Sequence, residues 1–315
     1  MKEGKWTPPQ FIEDPFLRLH GMAPGLNYGQ QCYEGLKAFR DPKGNINIFR
    51  PNKNAERMQH SASYISIPGV PTDHFLACCQ LAVGMNAAYV PPHETGAAMY
   101  VRPLLFGSSA QLGLNPPEEY TFCVFVIPTG VYHGTNPVDA LILEQFDRAA
   151  PEGTGSAKVG GNYAPVLRWS EKAHHDGYGI TLHLDSKTRT VIDEFSTSAF
   201  IGVKKDGDKV KLIASNSKNV IKSVTADSIL KIGESFGWEV EEREVCNHIT
   251  LVCRNTNIYR FHTRSSKSFR KFSLLVLQRL LYRSSRSRTN PRVRSSPTKM
   301  RPASLAPFAS GFSRL

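Results

Sequence analysis

The stretch GTGSAKVGGNY, residues 153–163, places a single lysine, Lys158, between small residues and a pair of glycines. Glycines allow the backbone to approach a ligand closely, and a lysine held among them can be buried and made nucleophilic. A solvated lysine in a flexible loop is the ordinary alternative, and spacing alone leaves both open because glycine-rich loops are common. The order Gly-x-x-x-x-Gly-Lys-Ser/Thr is absent here, so the sequence does not predict a nucleotide phosphate loop.

Hydrophobic periodicity on either side of this loop predicts a mixture of strands and helices. Strands are predicted at 45–50, 97–106, 120–128, 140–146, 178–184, 190–193, 199–203 and 210–214. Helices are predicted at 52–63, 72–89, 162–175 and 218–236, with Thr72 as an N-cap and Gly237 after the last helix. The predicted fold class is therefore α+β, with helices packed over sheets.

The chain of 315 residues is long enough for two domains. A link rich in Gly and Pro at 129–137 separates a smaller domain, 1–128, from a larger one, 138–244. No run approaches about 18 consecutive apolar residues, so neither a transmembrane helix nor a membrane partner is expected. The beginning, MKEGKWTPPQ, has no targeting pattern, and six irregularly spaced Cys favour a reducing compartment, so a cytoplasmic or mitochondrial location is expected.

Several segments together resemble one family. KVGGNYAP, residues 158–165, is similar to the cofactor-lysine segment of the branched-chain amino acid aminotransferases, class IV enzymes of fold type IV that use pyridoxal 5′-phosphate. The other matches follow in the family's order: LNY at 26–28 with YEGLKAF at 33–39, FRP at 49–51 with Asn54 and ERM at 56–58, YVRP at 100–103, and DEFST at 193–197. The resemblance covers roughly residues 20–245, and it implies a two-domain fold and a homodimer with sites near the subunit interface.

The resemblance implies a cofactor role for three residues of the larger domain. Lys158 would bind pyridoxal 5′-phosphate covalently and move a proton, Glu194 would pair with the pyridine nitrogen, and Tyr163 would bond the cofactor phenolate. A carboxylate beside the pyridine nitrogen keeps the ring protonated and able to accept electrons. Without the motif, Glu194 would be read as a solvent-facing strand end and Tyr163 as a core aromatic residue.

The resemblance places the cofactor phosphate between the two domains. Arg57 would bind it through a planar guanidinium, although an exposed arginine on the predicted helix is the commoner fate. Val224 and Thr225 would offer donors at a helix start. The family's Pro-Gly before this pair is Lys222-Ser223 here, and the arginine after it is Ala226.

The substrate pocket is expected to be aromatic, because it must accept an aliphatic side chain. Thr197 would line the site near the cofactor, although the family's usual Gly-Thr-x-Asn is Ser-Thr-Ser-Ala at 196–199. This departure suggests a divergent, specialised biosynthetic member. The residues that match pocket positions, each with core packing as an even alternative, are Tyr28, Tyr33, Tyr100, Arg102 and Tyr132.

The predicted activity is transfer of an amino group between Leu, Ile or Val and 2-oxoglutarate, with an amino acid and a 2-oxo acid as the only partners besides a second copy of the chain. The alternatives are D-amino acid transamination, aminodeoxychorismate lyase chemistry on the same fold, or an inactive protein with a basic binding tail. No metal site is expected, because the adjacent His174 and His175 cannot share one helix face.

The net charge of +12 comes from residues 245–315, which hold 15 of the 39 Lys and Arg and none of the 27 Asp and Glu. The first 244 residues are slightly acidic, so a nucleic-acid partner is not predicted. The tail is rich in Ser and Arg and is expected to be disordered or mistranslated. Its codons can spell a fungal-type intron from Val245 into Arg260. Removing that intron shifts the frame and restores a Gly-Thr-Ala loop typical of the family, so the cofactor-binding domain is expected to be incomplete.

Overall fold

The first half of the chain forms one antiparallel sheet. The computed structural model describes residues 1, 4–130 and 137–247, together with the backbone of 260–262 and 270–271. The sheet contains β1 (Gln31–Tyr33), β2 (Leu36–Arg40), β3 (Ile46–Ile48), β4 (Ala98–Gly107) and β5 (Tyr120–Thr129). β4 is central, because it pairs with β1 and β2 along one side and with the whole of β5 along the other. The sequence did not predict β1 or β2, which together carry the motif YEGLKAF.

Helices cover one face of this sheet. The short α1 (Pro24–Asn27) precedes β1, while α2 (Pro51–Tyr64) and α3 (Thr72–Met85) bury Met58, Phe75 and Cys79 against the sheet. The predicted N-cap is wrong, because Pro71 takes the N-cap position of α3 and Thr72 is its first helical residue. The helix also ends earlier than predicted, and a separate 3-10 turn follows at Ala87–Tyr89.

A mixed sheet begins the second half. It contains β6 (Ala140–Leu143), β7 (Ile180–Leu184) and β8 (Ile192–Phe195). β6 and β7 are parallel, and α4 (Leu167–His175) lies in the connection between them, while β8 is antiparallel to β7. The helix predicted at 162–175 begins late, because Pro165 lacks an N–H donor and residues 160–166 wind as two 3-10 turns instead.

A three-stranded sheet follows. The hairpin β9 (Ile201–Asp206) and β10 (Lys209–Ser215) turns at Gly207, whose φ is 56°. α5 (Val224–Ser235) then connects β10 to the parallel strand β11 (Glu239–Arg243), which was not predicted. α5 begins six residues later than predicted, because the Ser223 side chain accepts from the Ala226 amide and caps the helix there.

The end of the described chain adds two short strands. β12 (Arg260–His262) is parallel to β6, and β13 (Arg270–Lys271) is antiparallel to β12. Val245 is 1% exposed and packs in the core of the mixed sheet, so the packed body extends past the predicted boundary at 244. The other residues of the predicted tail, and most of the predicted link at 129–137, lie outside the described residues. Within the described part, no helix has both the length and the apolar character needed to span a membrane.

The glycine-rich loop of the second half docks on the core of the first. Ala157 and Val159 are buried among the residues of the first sheet and its helices. Val159 also forms an isolated antiparallel bridge with Cys32 of β1. Lys158, between these two buried residues, therefore lies where the two halves of the chain meet.

Candidate active site

The backbone of Lys158 is fixed on both sides. Its amide donates to the Ser61 hydroxyl of α2 at 2.8 Å, and its carbonyl accepts from the Tyr33 amide of β1 at 3.1 Å. Because Ala157 and Val159 are buried on either side, the loop has little freedom to move at this point. The alternative of a lysine in an unconstrained loop therefore does not describe this residue.

The side chain of Lys158 lies between two tyrosine rings. Its Nζ donates to the Tyr163 hydroxyl at 2.8 Å and lies 4.6 Å and 4.8 Å from the ring centroids of Tyr33 and Tyr163. The two rings are themselves 5.4 Å apart. Aromatic faces attract a cation and exclude water, so the amine is oriented by its surroundings rather than by solvent.

Glu194 is buried at the end of β8, so it is not a solvent-facing residue. Its Oε1 lies 2.7 Å from Arg148 Nη1 and accepts from the Ile221 amide at 3.3 Å. Burial raises the pKa of Glu194 to about 7, against the opposing effects of Arg148, the Ile221 amide and Lys158. Its Oε2 has no hydrogen-bond partner within the described part of the chain and can accept one from a ligand.

Arg148 was missed by sequence reasoning. Its side chain is 3% exposed, and besides Glu194 it donates weakly to the carbonyls of Gly155 and Asn219, each at 3.4 Å. It thus connects the glycine-rich loop, the end of β8 and the segment before α5. The only available signal was its place in DRAAP, residues 147–151, just before the loop.

Arg57 is held by a second carboxylate that was also missed. Its Nε and Nη2 donate to the two oxygens of Glu34, each at 2.7 Å, and its Nη1 donates to the Lys222 carbonyl at 2.9 Å. Burial favours the neutral form, but the hydrogen bonds and charge of Glu34 outweigh it and raise the pKa of Arg57. The side chain is 11% exposed, which excludes the alternative of a solvated helix arginine. Two of its five N–H donors remain available to a ligand.

Val224 and Thr225 are the first two residues of α5. The Ser223 hydroxyl accepts from the Ala226 amide, and the Ser223 carbonyl accepts from the Asp227 amide. The amides of Val224 and Thr225 have no hydrogen-bond partner among the described residues. Since Arg57 contacts Lys222 immediately before them, this helix start and the Arg57 guanidinium form one donor-rich region.

Tyr33, Tyr100 and Arg102 form a cluster beside Lys158. Arg102 donates to the Tyr100 hydroxyl at 2.9 Å, and its guanidinium carbon lies 4.8 Å and 5.0 Å from the ring centroids of Tyr33 and Tyr100. Burial raises the pKa of Tyr33, with a further contribution from Tyr163, so Tyr33 stays neutral. Gly35 is required below this cluster, because an added Cβ would lie 2.2 Å from the Tyr100 hydroxyl.

The remaining three predicted site residues are exposed or lie outside the description. Tyr28 is the C-cap of α1 and is 43% exposed. Thr197 is exposed in the turn after β8, three residues beyond Glu194. Tyr132 lies outside the described residues. The roles expected for these three residues stay predictions.

The charges of the site act on one another. Lys158 contributes to the pKa of Glu194, and both Tyr163 and Glu194 contribute to the pKa of Arg57. The fold therefore collects a lysine amine, a buried carboxylate with a free oxygen, and an anion-binding region in one place. No cluster of His, Cys, Asp or Glu suited to a metal ion occurs among the described residues.

The sequence profile of the family described as Amino-transferase class IV matches residues 31–247. The chain belongs to the class IV amino-transferase family. Its curated relatives include Aminotransferase poxL of Penicillium oxalicum, 56% identical over 240 residues that cover 76% of this chain and 66% of poxL. Transaminase htyB of Aspergillus rugulosus is 54% identical over 251 residues, with coverage of 76% and 66%. The chain thus spans just under two thirds of the length of these relatives.

Solved class IV structures share the fold. The branched-chain amino acid aminotransferase of Escherichia coli superposes with a TM-score of 0.63 and 27% identity, covering 73% of each chain. A second branched-chain amino acid aminotransferase, solved with pyridoxamine 5′-phosphate, superposes with a TM-score of 0.60 and 25% identity, covering 73% of this chain and 72–73% of its own length. These likenesses confirm the predicted mixed α+β, fold-type IV architecture.

The cofactor of the class IV family is pyridoxal 5′-phosphate, and the residues of this chain fit it. Lys158 offers an amine, Tyr163 a hydroxyl, and Glu194 an acceptor oxygen that has no partner among the described residues. Arg57 and the start of α5 offer donors for a phosphate. Each polar part of the cofactor therefore has a matching group in the described part of the chain.

Proposed function

We propose that this class IV family member transfers an amino group between a branched-chain amino acid and a 2-oxo acid such as 2-oxoglutarate. The observation that carries the proposal is the Lys158 amine, held at 2.8 Å from Tyr163 and between two aromatic rings, beside the buried Glu194. When bound, pyridoxal 5′-phosphate links to a lysine amine and withdraws electrons from the substrate carbon that carries the amino group.

Lys158 is the residue that moves the proton at this site. Its amine lies where two ring faces and the Tyr163 hydroxyl fix its direction, so Nζ can take a proton from a substrate carbon on one side and return it on the other. Glu194 Oε2 accepts a hydrogen bond from a ring N–H, and the nearby Arg148 keeps a negative charge on that carboxylate. Arg57 and the amides of Val224 and Thr225 hold the phosphate.

The Tyr33, Tyr100 and Arg102 cluster is assigned to the substrate. The rings of Tyr33 and Tyr100 provide an apolar wall for an aliphatic side chain, and they keep water away from the Lys158 amine. Arg102 has no carboxylate partner among the described residues, and its guanidinium can bind a substrate carboxylate. The structural likeness to branched-chain aminotransferases supports the same substrate class.

The test is an assay of the purified full chain with a panel of amino donors and 2-oxoglutarate. We expect Leu, Ile and Val to be used, and Lys158→Ala to abolish transfer. Borohydride reduction followed by peptide mass spectrometry should find the cofactor attached to Lys158 in the wild type. A preference for D-alanine, or lyase activity without a 2-oxo acid, would replace the branched-chain proposal with one of its alternatives.

We also propose that the residues after Asn247 arise from a retained intron. The family profile ends at residue 247, within three residues of the predicted splice donor at Val245. A spliced message would restore a Gly-Thr-Ala loop that adds donors to the phosphate and carboxylate sites. Sequencing the transcript and assaying both products tests this, and a mature message that keeps these bases and yields a fully active enzyme would contradict it.

A homodimer and a cytoplasmic or mitochondrial location stay predictions. Light scattering of the purified chain would give its mass in solution, and a fluorescent fusion would show its compartment.

A further inference from the structure

Arg50 has an unusual backbone conformation at the start of α2. Its φ of 47° and ψ of 48° lie in the left-handed region. Within the described part of the chain, only two other non-glycine residues have a positive φ. Pro51 follows, and a residue before proline normally stays extended. Such strain persists only where the surroundings over-determine it, and it concentrates at functional sites.

The Arg50 guanidinium reaches from α2 to the first turns of α5. Its Nη2 lies 2.5 Å from Asp227 Oδ2, and its Nη1 donates to the Ser228 hydroxyl and, at 3.4 Å, to the Val224 carbonyl. The Ser228 hydroxyl donates in turn to the Val224 carbonyl at 2.8 Å. The hydrogen bond from Arg50, aided by Lys231, lowers the pKa of Asp227, so this residue is ionised at neutral pH.

The first turn of α5 needs such a contact because little else fixes it. The buried residues of α5 are Leu230 and Gly233, both in its second half. Residues 216–223, which lead into the helix, have no regular structure. Arg57 lies two turns after Arg50 on the same face of α2, and it holds the Lys222 carbonyl. The two arginines therefore contact α5 and its approach on either side of the Val224 and Thr225 amides.

We propose that Arg50 is a positioning residue for the cofactor phosphate, acting through α5. Its contacts with Asp227, Ser228 and Val224 hold the start of α5 against α2, so that the Val224 and Thr225 amides stay directed at the phosphate. This inference rests on the proposed function, because it needs pyridoxal 5′-phosphate at the site. It assigns a cofactor-related role to the arginine of the FRP motif, which does not itself contact the ligand.

The test compares two ligands that differ only in the phosphate. Equilibrium titrations of the full chain, followed by absorbance, would give dissociation constants for pyridoxal 5′-phosphate and for pyridoxal. Arg50→Gly relieves the positive φ while removing the guanidinium, and Asp227→Asn removes the partner charge without touching α2. We expect each to weaken binding of pyridoxal 5′-phosphate about 10-fold or more, the loss of a charge-assisted contact, and to change pyridoxal binding less than about 3-fold.

The double variant Arg50→Asp with Asp227→Arg should recover part of the affinity for pyridoxal 5′-phosphate. Lys53→Gln, which removes an exposed ion pair with Glu56 on the same helix, is the matched control and should change neither affinity. Equal weakening of both ligands, or unchanged binding of pyridoxal 5′-phosphate in folded Arg50→Gly and Asp227→Asn, would overturn the assignment. If wild-type protein itself traps no cofactor on Lys158 after borohydride reduction, the proposed function fails instead, and this inference with it.

Discussion

Two buried arginine–glutamate pairs lie on either side of Lys158, and they differ in how fully the carboxylate is bonded. Glu34 accepts two N–H groups from Arg57, one from the Asn54 amide and one from the Gly35 backbone. Glu194 accepts from Arg148 and from the Ile221 amide, and both contacts reach Oε1. Glu34 is therefore saturated within the chain, while Glu194 keeps one oxygen without a partner among the described residues.

The difference separates a structural carboxylate from a functional one. A carboxylate whose acceptor sites are filled can only position its partner, and Glu34 fixes Arg57 with the rigid fork geometry of a bidentate pair. A buried carboxylate with a free oxygen is costly to keep in a fold unless something else binds it. The raised pKa of Glu194, about 7, records that cost.

Glu194→Gln should show the largest effect, and it should fall on activity. A neutral amide cannot hold a protonated ring nitrogen, so we expect transamination to fall about 10²–10⁴-fold. The free energy of unfolding should change by only about 1 kcal/mol, because the amide still reaches Arg148 and Ile221. Steady-state kinetics and urea unfolding of the same preparation measure both. Equal losses of activity and of folded protein would make Glu194 a structural residue.

Glu34→Gln should show the reverse pattern. Removing this charge leaves Arg57 buried without its counter-ion, which should lower the free energy of unfolding by about 3 kcal/mol. The matched control is Glu56→Gln, which removes an exposed pair with Lys53 and should cost less than about 1 kcal/mol. Thermal unfolding of the cofactor-free proteins compares the three. A Glu34→Gln protein as stable as the control would remove the distinction between the two carboxylates.

The pH dependence of stability should come from Glu194. Its pKa is raised from 4.5 to about 7 in the folded chain, so between these values the folded chain holds a proton that the unfolded chain has lost. The free energy of unfolding should therefore decrease as the pH rises from about 4.5 to about 7, by at most about 3 kcal/mol, because a tenfold change in proton affinity is worth about 1.4 kcal/mol.

Urea unfolding of the cofactor-free chain at several pH values tests this expectation. Subtracting the Glu194→Gln curve from the wild-type curve isolates the contribution of Glu194, and that difference should slope downwards through the interval and level off above about pH 7. Glu34→Gln should keep the wild-type slope. Parallel curves for the wild type and Glu194→Gln would show that another group controls the dependence.

The sequence predicted the individual site residues better than it predicted how they are held. Motif resemblance pointed to Lys158, Tyr163, Glu194 and Arg57, and the fold brings these together. The partners of the two charged residues were missed, because Glu34 is 23 residues from Arg57 and no local pattern records such a pairing. Burial decides whether an arginine such as Arg148 is structural, and composition does not reveal burial.

Elements of the fold show the same limit. Long strands such as β4 and β5 followed from their apolar runs, and α2 was predicted to within a residue at each end. Short elements were missed or misplaced where a single residue decides the geometry. Ser223 delays the start of α5, and Pro165 divides the predicted helix before α4. Both are local capping or donor effects that compete with the hydrophobic period.

Ser61→Ala should produce the smallest effect, and it tests the element that joins the two pairs. The Ser61 hydroxyl accepts from the Lys158 amide and donates to the Arg57 carbonyl, so one buried side chain links the lysine to the helix that carries the arginine. Removing it leaves a partly buried amide unpaired, at a cost of about 1–2 kcal/mol in stability. The lysine loop should loosen, and activity should fall about 10-fold because a misplaced amine transfers its proton less well. Ser63→Ala is the matched control, since its exposed hydroxyl donates to the His60 carbonyl on the same helix and touches neither pair. Unfolding and kinetic measurements on both variants give the comparison, and a Ser61→Ala enzyme that matches Ser63→Ala in stability and rate would show that the two pairs are held in place without this link.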